Sequence, residues 1–228
     1  MTSLRAVDEL IAAIERRDLE TARTLLDRDA TLGRGRGSNG QTPAIAAIYR
    51  RAGDILELLR RRGVPFDVFA AAAAGDVERV SALLDADPSR LNTHAADGWT
   101  PLHLAAHFRH DTVVADLLAR GADVHLRSRN SHANTALHAA LAGGASPGLV
   151  KRLLDAGVEI DARQGGGHPA LHEAAGIGAE ENVRLLLASG ADATARTEKG
   201  ETPADLASQS GHTAIARLLR DHTERRAS

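Results

Sequence analysis

Residues 97–124 read DGWTPLHLAAHFRHDTVVADLLARGADV, and this stretch decides the fold. Thr100 before Pro101 signals a helix start, because the threonine hydroxyl caps free amides and proline at the first helical position loses no hydrogen bond. Further on, the segment 113–118 places its apolar side chains at the i, i+3 and i+4 spacing of one buried helix face. Gly121 then supplies the left-handed residue that ends a helix. The stretch therefore predicts two short helices joined by a turn.

The markers of this unit recur along the chain with a period near 33 residues. Adjacent leucine pairs lie at 25/26, 58/59, 83/84, 117/118, 153/154, 186/187 and 218/219. The motif TPLH at 100–103 is echoed as TALH at 135–138 and PALH at 169–172. Independent markers that share one period indicate a repeat architecture, and the short helical segments predict an all-α repeat solenoid.

These motifs resemble the ankyrin repeat family. The unit at 97–124 matches the family's pattern over nearly its whole length, and the segments 171–196 and 200–221 match almost as well. The resemblance implies a stand-alone, bacterial ankyrin repeat protein: a curved stack of helix pairs with short β-turn or hairpin fingers. We expect one domain over 1–228, with about seven units at about 4–32, 39–65, 66–92, 97–124, 130–160, 165–193 and 198–221, and a polar tail at 222–228.

Several units depart from the repeat, and three of them bear on its ends and its fingers. Unit three, beginning DVFAAAAAG at 67–75, lacks the Gly-x-Thr-Pro opening and follows its predecessor early, so we expect one finger to be missing there. Unit one lacks the TPLH motif and carries charged residues at 15–17, as expected of a solvent-facing cap. Unit seven has Asp205 in place of the motif histidine and ends in a polar run, which predicts a C-terminal cap with a frayed tail.

The composition excludes several classes of protein. The chain has 228 residues with a net charge of −2, so no global basic field exists to hold nucleic acid or an anionic membrane. Its longest apolar stretch, at 68–75, is far shorter than the roughly 20 residues of a membrane helix. There is no cysteine, and the first 18 residues lack the apolar core of a secretory signal. We expect a cytoplasmic monomer.

A metal-dependent enzyme is the first alternative. His103 and His107 lie at i and i+4 on one predicted helix, with His110 close behind, which is a possible ligand set. However, His103 shares its repeat position with His138 and His172, where the family resemblance implies hydrogen bonds that brace the turn against the next unit. The HExxH motif is absent. We therefore expect no metal, no cofactor and no catalytic residue.

Weak nucleic-acid binding is the second alternative. The segment GRGRG at 33–37 has the composition of an RNA-binding tract, but no aromatic residue stands beside it to stack on bases. A finger is expected at this point, so the glycines are interpreted first as turn residues.

The family resemblance implies that a partner protein binds the concave surface formed by the fingers and inner helices. Surface positions free of packing constraints lie just before each Thr-Pro and just after each Ala-Ala. Three of the chain's five Phe, Tyr and Trp residues occupy such positions. Trp99 beside Phe108 has the profile of an exposed interface hot spot, although Trp99 lying flat over the adjacent finger is the competing interpretation. We predict a non-enzymatic interaction scaffold or inhibitor whose partner contacts are Tyr49, Arg50, Trp99, His107, Phe108, Asn134, His168 and Ile177.

Overall fold

The computed structural model describes residues 2–227, and these residues form fourteen α-helices arranged as seven consecutive pairs. The pairs are α1 (Thr2–Glu15) with α2 (Leu19–Arg28), α3 (Pro43–Tyr49) with α4 (Gly53–Arg61), α5 (Val68–Ala74) with α6 (Val77–Ala86), α7 (Pro101–His107) with α8 (Asp111–Ala119), α9 (Ala136–Ala142) with α10 (Pro147–Asp155), α11 (Ala170–Gly176) with α12 (Glu180–Ala188), and α13 (Pro203–Gln209) with α14 (Thr213–Ala227). Two 3-10 helices, Ala30–Arg34 and Pro88–Asn92, follow α2 and α6.

The first helices of successive pairs contact one another, and so do most of the second helices, so the units stack in chain order. Small side chains on the first helices allow this close approach: Ala105 and Ala106 are fully buried, as are Ala139 and Ala140 one unit later. The second helices contribute buried leucines such as Leu117. The resulting core is one continuous layer that runs the length of the stack. This arrangement confirms the predicted all-α repeat solenoid.

The predicted helix starts are capped by side chains. Thr100 accepts a hydrogen bond from the amide of His103, and Thr42, Thr135 and Thr202 cap their own helices in the same way. Such a cap contributes about 1 kcal/mol because it satisfies an amide that the helix itself leaves free. In unit three Asp67 replaces the threonine and caps α5.

The fingers are tight turns without strands. In unit four the amide of Ala95 donates to the carbonyl of Trp99 at 2.8 Å and closes the turn. Among residues 2–227 the only β-pairing outside helices is an isolated bridge between Arg163 and Pro169.

One finger is missing, as the sequence predicts. The connection at 62–67 leads from α4 directly to α5 without a finger turn. The neighbouring fingers close the space: a Cβ built on Gly40 would lie 2.8 Å from the Cβ of Ala96. The fingers of units two and four are therefore in contact, and the row of fingers is continuous there.

The C-terminal end differs from the sequence prediction. Helix α14 continues to Ala227, so 222–227 is helical and not frayed; residue 228 lies outside the described residues. Contacts within the helix explain the difference, because Thr223 donates to the carbonyl of Leu219 at 2.9 Å and the Arg225 side chain donates to that of Asp221 at 3.0 Å. Among the helices of residues 2–227, none has the length and apolar character needed to cross a lipid bilayer.

Candidate partner-binding site

Four rings from units two and four meet in one group, which we call the aromatic cluster: Tyr49, Trp99, His107 and Phe108. Tyr49 ends helix α3, His107 ends α7, Phe108 follows it, and Trp99 comes from the finger of unit four. The ring centroids of Tyr49 and Phe108 lie 5.7 Å apart. His107 is perpendicular to both of its neighbours, at 5.1 Å from Phe108 and 5.0 Å from Trp99. These are favourable edge-to-face distances.

Hydrogen bonds hold the cluster in place. The Tyr49 hydroxyl donates to a carboxylate oxygen of Asp97, and the other Asp97 oxygen accepts from the amide of Trp99 at 3.1 Å. Burial and the Asp97 carboxylate raise the pKa of Tyr49, so the phenol keeps its proton and remains the donor. Unit two is thereby tied to the finger of unit four across the unit that lacks a finger.

His107 is the central ring of the cluster. Its Nδ1 donates to the carbonyl of Ala139 in unit five at 3.2 Å, which fixes the ring orientation. Burial lowers the pKa of His107, an effect only partly offset by that hydrogen bond, so the ring is neutral at physiological pH.

The cluster is half-buried, which corrects the expectation of a fully exposed Trp99. The Trp99 ring packs on His103 and His107 of its own inner helix, with centroids 6.1 and 5.0 Å away. Trp99 is thus locally packed, as in the competing interpretation, and the rings that it contacts belong to its own inner helix. All four side chains keep part of their surface accessible.

The remaining predicted residues lie outside the aromatic cluster. Arg50 is exposed beside the cluster and pairs with Glu15 at 3.5 Å. His168 and Ile177 belong to unit six: His168 is half-buried against His172, and Ile177 is 46% exposed. They lie two units beyond the cluster.

Asn134 does not fit a partner contact. It is only 9% exposed, and its backbone carbonyl accepts from Nε2 of His103 at 2.8 Å. The backbone carbonyl just before the motif threonine faces the previous unit here, and the residue is buried in the stack. The prediction that Asn134 contacts a partner is therefore corrected.

The motif histidines brace each unit against the next one. Nδ1 of His103 accepts from the Thr100 hydroxyl at 2.7 Å, while Nε2 donates forward to unit five. Thr135 and His138 repeat the arrangement, with His138 donating to the carbonyl of His168 at 3.0 Å. Burial lowers the pKa of His103 and His138 to about 4, so both rings are neutral and can accept and donate at once.

These contacts remove the ligand set on which the metal-enzyme alternative depends. His103 bonds to the carbonyl of Asn134 and His107 to that of Ala139, whereas His110 bonds to that of Ala73 in the preceding unit. The three rings therefore serve different carbonyl groups. Within the described part of the chain, no three His, Cys, Asp or Glu side chains are grouped to hold a metal ion.

The glycine-rich tract at 33–37 serves the fold. A Cβ on Gly33 would lie 2.5 Å from a methyl group of Val64, so this backbone is pressed against the core. Arg36 bonds to the carbonyl of Gly40 and forms an ion pair with Asp67 at 3.0 Å. One of the two arginines of the tract is thus engaged within the protein, which weakens the nucleic-acid alternative.

The bond between Tyr49 and Asp97 is the feature of the site that the sequence did not reveal. An aspartate before Gly98 is fully explained as a turn residue, and Tyr49 lies 48 positions earlier in the chain. Only the loss of one finger brings the two side chains together.

Comparison with known proteins supports the same fold. A family model described as "Ankyrin repeats (3 copies)" matches residues 68–164 and 144–226. The chain is 31% identical over 175 residues, 73% of its length, to a transient receptor potential cation channel subfamily A member 1 homolog of Caenorhabditis elegans. It is 32% identical over 161 residues, 70% of its length, to the tyrosine-protein kinase Shark of Drosophila melanogaster. Mouse ankyrin repeat and SOCS box protein 16 is 39% identical over 117 residues, 48% of the chain.

The chain spans 14%, 17% and 25% of the length of these three proteins. The similarity therefore concerns only a part of each of these proteins. The family model begins at residue 68, while the structure places two further helix pairs of the same kind before it. On the matched residues and the stacked helix pairs together, the chain belongs to the ankyrin repeat family.

Proposed function

We propose that the protein is a non-enzymatic scaffold or inhibitor that binds one folded protein partner at the aromatic cluster. Ankyrin repeats are in general protein–protein interaction modules, and their family is generally non-enzymatic. We also propose that it acts as a monomer in the cytoplasm, where a chain without cysteine needs no disulfide.

The observation that carries this proposal is the position of the aromatic residues. A core made largely of alanine and leucine does not need them, yet Tyr49, Trp99 and Phe108 converge with His107 at the surface from two different units. Half-buried aromatic side chains that are fixed in advance lose little conformational entropy on binding, which is typical of interface hot spots.

The contact between neighbouring fingers supports a single continuous surface. Because Gly40 and Ala96 meet where unit three has no finger, a partner can span units two to four without crossing a gap. Arg50 lies at the edge of this surface, and Ile177 and His168 in unit six stay proposed contacts farther along the stack.

Substitution of the cluster tests the proposal. The partner is isolated on the immobilised protein from the source organism, and its Kd for purified variants is measured by isothermal titration calorimetry. The double variant Trp99→Ala/Phe108→Ala is expected to lose about 2 kcal/mol or more of binding free energy, a rise in Kd of about 30-fold or more.

The control is Leu4→Ala, which removes an exposed apolar side chain that is neither in the cluster nor among the predicted contacts, and it should leave Kd unchanged. Because Trp99 packs on its own unit, circular dichroism must show that the double variant stays folded. Tyr49→Phe offers a second test, since it keeps the ring but removes the hydrogen bond to Asp97. Unchanged Kd in both cluster variants would refute this placement.

A further inference from the structure

Arginine occupies a strained backbone position in three units. The loop between the two helices of each unit contains one residue in the left-handed region. In units one, two and four that residue is Arg17 (φ 55°), Arg51 (φ 51°) or Arg109 (φ 64°). In the other four units it is a glycine, namely Gly75, Gly144, Gly178 and Gly211. Glycine adopts this conformation without steric cost and arginine does not, so three arginines are retained where the same fold elsewhere uses the unstrained residue.

Within the described part of the chain, these three side chains have no charged partner. All three are exposed, and none forms an ion pair or a side-chain hydrogen bond with another residue of the described chain. Several arginines on exposed helix faces are paired instead: Arg61 pairs with Glu57 at 2.9 Å and Arg184 pairs with Glu180 at 2.7 Å.

Arg51 and Arg109 border the aromatic cluster, and Arg17 lies in the neighbouring loop of unit one. His107 experiences the charges of both Arg109 and Arg51, which after burial lower its pKa further. Arg50 continues the row beside Tyr49, and its ion pair with Glu15 places the loops of units one and two side by side. Arg16 precedes Arg17 and is also exposed. We call this row the arginine edge; it comprises Arg16, Arg17, Arg50, Arg51 and Arg109.

We propose that the arginine edge and the aromatic cluster together bind an acidic segment of a partner protein, with carboxylates on the arginines and an apolar side chain on the rings. The inference rests on the proposed function and adds the chemical class of the partner. Guanidinium groups form bidentate hydrogen bonds with carboxylates, which suits them to read aspartate and glutamate in a protein segment.

A protein segment fits this surface better than single-stranded nucleic acid does. The rings of Trp99, His107 and Phe108 stand edge-to-face at 83° and 88°, so they do not form the parallel platform on which bases stack.

The test uses a phage library of random dodecapeptides, panned at physiological salt on the immobilised full-length protein. The variant Arg17→Gly/Arg51→Gly/Arg109→Gly removes the three unpaired charges and also relieves the backbone strain. Its matched control, Arg61→Gln/Arg184→Gln/Arg217→Gln, removes the same charge from helix arginines outside the edge.

We expect the wild-type protein and the control to enrich peptides rich in Asp and Glu with one apolar residue, and the glycine variant to lose that enrichment. One selected peptide, labelled with fluorescein, should bind the glycine variant at least about tenfold more weakly by anisotropy, with a smaller salt dependence. The melting temperature of that variant should rise, because glycine favours the left-handed conformation, so unfolding does not explain the loss.

Several results would overturn the inference. The arginines do not bind acidic residues of a partner if the selected peptides lack acidic enrichment. The same conclusion follows if the glycine variant and the wild-type protein bind the selected peptide with equal affinity. If a labelled single-stranded DNA binds more tightly than the peptide, through the same arginines, the ligand of this surface is nucleic acid and not an acidic protein segment. If Trp99→Ala/Phe108→Ala abolishes peptide binding and the glycine variant does not, the proposed function stands and this inference fails.

Discussion

Unit six offers a direct test of the histidine bracing, because it lacks the threonine that units four and five use. His172 donates from Nε2 to the carbonyl of Glu201 at 3.1 Å, as its counterparts do. Its Nδ1 is buried and has no hydrogen-bond partner among the described residues, since Pro169 stands where Thr100 and Thr135 supply a hydroxyl. We predict that Pro169→Thr stabilises the protein.

The expected gain follows from three contributions. A threonine cap on α11 contributes about 1 kcal/mol, and a hydroxyl donated to the buried Nδ1 contributes about 1 kcal/mol more. Loss of proline costs about 0.4–1 kcal/mol by freeing the unfolded chain. The net gain in the free energy of unfolding is about 1 kcal/mol, a rise in melting temperature of about 2–4 °C for a chain of this size.

The backbone at Pro169 already has the conformation that a threonine cap requires. Pro169 has φ −68° and ψ 163°, close to the −86° and 167° of Thr135, and Thr100 and Thr135 are themselves buried. Thermal unfolding followed by circular dichroism measures the gain. Because stability in a repeat array varies along the stack, hydrogen exchange of the α11 amides shows whether the effect is local.

The pKa of His172, followed by NMR, provides a second readout. A donated hydroxyl favours the neutral ring, so the pKa should fall below its wild-type value. The control Ala170→Pro adds the helix-start proline of the other units without a hydroxyl, and it should leave that pKa unchanged. A melting temperature that stays level or falls, with helix content intact, would refute the bracing role assigned to the threonine–histidine pair.

Three further predictions concern other parts of the stack. His103 and His138 have pKa values near 4 when folded and about 6.5 when unfolded. Each therefore adds up to about 3 kcal/mol of stability above pH 6.5, and this stability is lost as the pH falls toward 4. Urea unfolding measured at several pH values should show a smaller dependence of the unfolding free energy on pH in a His138→Gln variant. Gly143→Ala should destabilise the protein by about 2 kcal/mol or more in chemical denaturation, because the new Cβ would overlap the carbonyl oxygen of His107, whereas Gly176→Ala meets no atom within 4 Å and should be neutral or stabilising. Arg51→Gly alone should raise the free energy of unfolding by about 1 kcal/mol; a decrease in thermal melting would show that this loop carries no strain.

Much of the fold follows from local sequence. Thr-Pro pairs start helices, leucine pairs mark the buried face of second helices, and the missing Gly-x-Thr-Pro before α5 marks the absent finger. Each of these features is set by residues within one unit, so the sequence alone contains the information. The helical end at 222–227 was missed because polar composition does not distinguish a frayed tail from an exposed helix whose side chains bond within it.

The candidate site was only partly predictable. Repeat position identifies Tyr49, Trp99, His107 and Phe108 as surface residues, but not that they touch one another. That contact depends on how units two and four approach across unit three, which no single unit encodes. For the same reason the burial of Asn134 and the bond from Tyr49 to Asp97 appear only in three dimensions.

The forward hydrogen bonds of His103, His138 and His172 give the stack a direction. Every one of these rings reaches toward the C-terminus, so the fingers of units five, six and seven are each held by the unit before. Removing units from the C-terminal end would leave the motif histidine of the new last unit without its carbonyl acceptor. Removing units from the N-terminal end would take away a histidine donor and leave a carbonyl group unbonded. The two ends are thus unequal places at which to cut or fuse the chain, and a fusion joined after α14 preserves all three bonds.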